Sequence, residues 1–98
     1  MDGLKFTWDG RKDAVNRRKH GIGFDEARTV FYDEYARLIS DPAHSRDEDR
    51  FVLLGLSSRL RILVVCHCYH EDDRTLRIIS ARKANPRERE QYEEYRHA

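Results

Sequence analysis

The sequence predicts a single α+β domain over residues 1–98, with two N-terminal helices and one C-terminal helix packed on one side of a four-stranded antiparallel sheet. Three observations carry this expectation. Residues 9–32 hold helix start and stop signals around a short apolar stripe. From residue 36 the pattern changes to brief runs of Leu, Ile and Val separated by polar loops. Asn85-Pro86, with Glu88 three residues after the cap, then opens a last helix. With 98 residues, 39% hydrophobic and 38% charged, the chain has material for one modest core, which excludes a two-domain enzyme with separate cofactor and substrate lobes.

Lys5 to Trp8 is a short strand candidate outside the main sheet. Asp9 caps a first helix running to about His20, where Gly21 supplies the left-handed stop and Ile22 the following apolar contact. That helix offers only Ala14 and Val15 to a core. A second helix from Phe24 to about Tyr32 places Phe24, Ala27, Val30 and Phe31 on one stripe. Ala36–Ser40, Arg50–Leu56, Leu60–Tyr69 and Thr75–Arg82 read as an antiparallel meander. Tyr92 and Tyr95 form the apolar stripe of the last helix.

The longest apolar run, Ile62 to Cys66, is far below the roughly 18 residues that a membrane span needs. With the polar start Met1-Asp2-Gly3, this points to a cytoplasmic protein without a membrane partner. Cys66 and Cys68 alternate on one strand, about 6.6 Å apart and parallel, which suits two free thiols better than a disulfide. His70 extends them to Cys-x-Cys-x-His, but a strand separates the outer pair by about 13 Å, too far for one zinc. Neither a metal nor another cofactor is expected.

The net charge of +1 hides a segregation: residues 1–23 carry +3, residues 24–49 carry −5, residues 50–70 carry three Arg and no acid, and residues 71–98 balance. Bulk electrostatics cannot hold nucleic acid at such a balance, whereas a local anionic pocket beside an acidic flank is permitted.

The run Leu60–Tyr69 offers two alternating sets. Leu60, Ile62, Val64, Cys66 and Cys68 are wholly apolar and are expected under the helices, leaving Arg61, Leu63, Val65, His67 and Tyr69 on an open face. Symmetric turns at Ser58-Arg59 and at Asp72 then place Arg50 and Arg77 on either side of His67, a row about 10 Å wide across three strands. A histidine between two arginines offers a proton acceptor, a donor and cations for the charge that develops when a 2′-hydroxyl attacks its phosphodiester. Lys83 shares the parity of Arg77, Arg82 lies at the strand's end, and Arg61 serves as a remote control on the same face.

The chain also resembles a known family, the BrnT toxins of type II toxin–antitoxin systems. The resemblance rests on Phe6-Thr7-Trp8-Asp9, Asn16-Arg17-Arg18-Lys19-His20-Gly21-Ile22, Phe24-Asp25-Glu26-Ala27 and Asp41-Pro42-Ala43-His44-Ser45. It continues through Glu48-Asp49-Arg50-Phe51, Leu63-Val64-Val65-Cys66-His67, Arg77 to Ala84, Glu88-Arg89 and Tyr92. It implies a RelE-like fold and a ribonuclease directed at RNA, free or on the ribosome. It also implies a BrnA-type DNA-binding antitoxin as partner, in a heterotetramer. By position, the family pattern falls on Lys19, His20, Glu48, Arg50, His67, Arg77, Arg82 and Lys83; we expect His67, Arg50, Arg77, Arg82 and Lys83 as the catalytic set and Lys19, His20, Glu48 and Tyr92 as RNA-binding residues. A non-catalytic module binding nucleic acid or protein is the alternative; it would tolerate His67→Gln.

Overall fold

The computed structural model describes residues 3–40, 49–72 and 74–98. In chain order these form β1 (Lys5–Thr7), α1 (Gly10–His20), α2 (Phe24–Ala27), a 3-10 turn (Arg28–Tyr32) and β2 (Arg37–Ile39). Then follow β3 (Phe51–Leu56), β4 (Ile62–Tyr69), β5 (Thr75–Lys83) and α3 (Pro86–Arg96). The sheet has five strands, in the order β1-β5-β4-β3-β2. It is mixed, because β1 joins β5 in parallel. The expected four-stranded antiparallel sheet is corrected accordingly. A three-residue strand carries too little alternation to announce its partner, and here the partner lies at the far end of the chain.

The helix ends follow their residues. The Asp9 side chain accepts from Arg11 N at 2.8 Å, and Gly21, at φ 72°, donates its N–H to the Arg17 carbonyl. Asn85 and Glu88 form a reciprocal capping box, each side chain accepting from the other's backbone N–H. The second helix is shorter than its stripe predicts. The Thr29 hydroxyl donates to the Glu26 carbonyl at 2.6 Å, and residues 28–32 tighten into a 3-10 turn.

Helices cover both sheet faces, not one. Ile22, Phe24, Ala27 and Val30 pack on Leu53, Leu63, Val65, Ile78 and Ala81. On the other face Tyr92 of α3 packs with Val52, Leu54, Val64 and Ala84. The face expected to be open therefore lies under α2 and the 3-10 turn, with α1 against β5. Strand β4 is buried on both sides from Leu63 to His67, so its near-continuous apolar run gives no alternation from which to choose a face.

Asp33 ties the layers together: its carboxylate accepts from Tyr35 N, Leu56 N and the Tyr92 hydroxyl. Burial, joined by the bond to Asp33, pushes the Tyr92 phenol well above its ordinary range. Gly55 lets the 3-10 turn approach β3, since a Cβ there would lie 2.6 Å from Val30 Cγ1.

Both hairpin registers differ from symmetric turns. Between β3 and β4, Ser57 N bonds to the Arg61 carbonyl and Leu60 takes φ 62°, a turn with one residue in the left-handed region. The ladder shifts by one, and Phe51, not Arg50, faces His67. Between β4 and β5, Cys66 faces Ser80 but His67 faces Ile78, leaving Ile79 as the extra residue of a β-bulge. Arg77 therefore lies opposite Cys68.

Candidate nucleic-acid interface

The expected row of Arg50, His67 and Arg77 does not form. His67 is fully buried, its ring packed edge-on against Phe31 at 4.7 Å and Tyr69 at 5.4 Å. Its Nδ1–H donates to the Val65 carbonyl at 3.2 Å. Nε2 is then a lone pair with no partner, the one such buried side-chain atom among the described residues. Because both hairpins shift, the residue between the two arginines becomes Cys68. Arg77 faces it across β5, and continuing the β3–β4 register by one residue brings Arg50 to its other side. The thiols of Cys66 and Cys68 are free, the first buried and the second partly so.

Burial holds the His67 pKa below the ordinary histidine value, against a smaller opposing effect of the Val65 hydrogen bond. The unfolded chain therefore takes up the proton first. His67 contributes full stability above the ordinary value, near pH 6.5, and that contribution is lost as pH falls below it. A His67→Leu variant should show a shallower drop in melting temperature between about pH 6.5 and pH 5 than the parent.

The remaining expected residues are dispersed. Arg82 is bound to Glu88 through two bonds of 2.7 and 3.0 Å, which hold the Glu88 carboxyl below its usual range and offset the arginine's charge. Tyr92 is buried against Asp33. Lys83 is exposed at the end of β5. Glu48 and the segment Asp41 to Ser45 lie outside the described residues. Arg61, expected to be a bystander, instead pairs with the buried Glu26.

Lys19 and His20 do come together, in a groove of about 300 Å³ between α1 and β5. Arg11, Lys12, Val15, Asn16, Ile79 and Ser80 complete its lining. Two features of the chain make this groove. Beyond Thr7, β1 ends and leaves the outer edge of β5 without a strand; Asn16 takes its place, donating to the Ala81 carbonyl and accepting from Ala81 N. Its second amide hydrogen goes to the Ile22 carbonyl at 2.8 Å, so one buried side chain fixes α1 to the strand edge and to the chain after it. The bulge then places Ile79 beside Ser80 on the groove wall.

Among the described residues, three cationic side chains and one histidine line this space, and no carboxylate does. Asp13 of the same helix is turned away, accepting from Phe24 N and Arg17. Ser80 shares its sheet face with Arg77, which is exposed, and with Arg82, which is held by Glu88. The sequence reading missed Arg11, Lys12, Val15, Asn16, Ile79 and Ser80. The signal was present in Asn16, a poor helix former in mid-helix, which only a backbone partner explains.

The family model described as "Ribonuclease toxin, BrnT, of type II toxin-antitoxin system" matches residues 8–88. The chain belongs to the BrnT family. Among solved structures it is similar to the crystal structure of the Brucella abortus ribonuclease toxin BrnT, with 25% identity, a TM-score of 0.65, and coverage of 84% of this chain and 97% of that one. The comparison with curated proteins gave no match. The matched span of the BrnT family runs from Trp8 through α1 and β5 to Glu88, and so contains the whole groove. No helix among the described residues is long and apolar enough to cross a membrane.

Proposed function

We propose that this BrnT-family chain is an endoribonuclease of RelE-like type that cleaves RNA at the α1–β5 groove without a metal ion. The groove carries the reading: among the described residues, three cations and a histidine converge on one space that no carboxylate lines. Phosphate oxygens match Arg11, Lys12 and Lys19, whereas a magnesium ion calls for oxygen ligands that this lining lacks. Attack by the 2′-hydroxyl supplies its own nucleophile, so the protein has only to move protons and offset charge. His20 is the group suited to the proton, and Arg77 and Lys83 are exposed cations elsewhere on β5, on opposite faces of the strand, while Arg82 is held by Glu88. His67 is packed among Phe31, Phe51 and Tyr69, apart from the groove lining.

Among the described residues, no three His, Cys, Asp or Glu side chains lie close enough to share a metal. Cleavage should persist in excess EDTA and leave 2′,3′-cyclic phosphate or 3′-phosphate ends. Loss of activity in EDTA with recovery on adding magnesium would overturn the mechanism.

The partner in this reading is a BrnA-type antitoxin with a DNA-binding half, acting in the cytoplasm as a heterotetramer with the toxin. A type II toxin must be held inactive in its own cell, and an acidic antitoxin segment over the basic lining would compete for the donors that bind RNA. Induction of the chain alone should stop growth and degrade RNA, on or off the ribosome. Co-expression with the neighbouring gene product should restore both, and a neighbour that neither binds nor protects would sink the pairing.

A further inference from the structure

Val15 is half exposed, at 49%, on a helix whose other groove-facing side chains are mostly cations. Its place is explained by Ile79, which the β-bulge sets on the opposite wall. The groove therefore combines an apolar pair, Val15 and Ile79, with three cations in one lining. A volume of about 300 Å³ sits at the lower end of the range of small-ligand sites, about 300–1,000 Å³, and is far too small for a duplex.

We propose that this groove receives one unpaired ribonucleotide, with its base against Val15 and Ile79 and its flanking phosphates on Arg11, Lys12 and Lys19. The proposal rests on the ribonuclease reading and adds to it a base subsite that selects unpaired RNA. A base held in a duplex cannot lie against Val15 and Ile79 without leaving its stack, whereas a single strand offers its bases at little cost. The site reads little of the base edge. The Asn16 amide is fully engaged with Ile22 and Ala81, which leaves the Ser80 hydroxyl as the polar group of the β5 wall. Selection is therefore by strandedness more than by sequence.

The test uses the full chain and a fluorescent 2′-O-methyl oligoribonucleotide, which cannot be cleaved through its 2′ position, as a single strand and as a duplex with its complement. The single strand should bind at least tenfold more tightly. Val15→Ser, which removes apolar surface without changing charge, should weaken single-strand binding about tenfold and leave the salt dependence unchanged, whereas Val15→Leu should bind like the parent. Lys19→Ala should instead lower the salt slope by about one. Melting curves of each variant establish that it is folded. Equal binding of single strand and duplex, or a silent Val15→Ser, overturns the base subsite even if unmodified RNA is still cleaved. If the chain neither binds nor cleaves RNA, the ribonuclease reading falls and takes the subsite with it.

Discussion

His20→Ala is expected to lower RNA cleavage by about 10²-fold or more, with the melting temperature close to that of the parent. Transfer of a proton from the 2′-hydroxyl, or to the leaving oxygen, needs a group that can accept a proton and give it up again, and the imidazole of His20 is the side chain of the groove suited to that. His20 is half-buried at the last position of α1, next to the glycine that ends the helix, so truncating it removes no core contact. Lys19→Ala should cost about 10²-fold as well, through loss of one positioned donor to developing phosphate charge. Arg18→Ala removes the same unit of charge from the same exposed helix without touching the groove, and should leave cleavage within about threefold of the parent. Single-turnover rates on a fixed RNA separate these outcomes. If Arg18→Ala and Lys19→Ala fall together, net charge and not the groove governs the reaction; if His20→Ala keeps full activity, the proton is moved elsewhere.

What the sequence told and what it concealed divide along physical lines. Helix ends are local, and Asp9, Gly21 and the Asn85–Glu88 box were legible because a cap needs only its own few residues. Sheet register is not local. One left-handed residue, Leu60, and one extra residue, Ile79, moved Cys68 into the place expected for His67, and neither leaves a mark in the apolar pattern. The face of β4 was illegible for a different reason, because both of its sides are buried. Lys19 and His20 came from the family pattern, while their setting depends on Asn16 standing in for a strand, a contact between residues far apart in the chain.

Arg61→Ala is expected to destabilise the fold by about 2–3 kcal/mol. Glu26 is buried, and its carboxylate accepts from the Arg61 guanidinium and from the Ser57 hydroxyl at 2.7 Å. The same guanidinium reaches the Gly21 carbonyl, so the pair joins α2, the end of α1 and the β3–β4 turn. Burial alone would raise the Glu26 pKa, yet the bonds from Arg61 and Ser57 outweigh it and hold the carboxyl below its usual value. Removing Arg61 leaves a buried carboxylate with half its partners. The loss falls short of the roughly 3–5 kcal/mol of a fully buried pair because the arginine side chain is 29% exposed and partly screened. A lowered folded-state pKa means that the pair's contribution is whole above the ordinary glutamate value and disappears as pH falls through the folded one. Denaturant melts at pH 7 and at about pH 3 should therefore show a gap between parent and Arg61→Ala that narrows in acid. A gap of the same size at both pH values would assign the loss to packing by the arginine stem, not to its charge. Glu26→Gln/Arg61→Gln, which removes both charges and keeps hydrogen-bonding groups, should recover part of the stability lost in Arg61→Ala, since no buried charge is left unpaired.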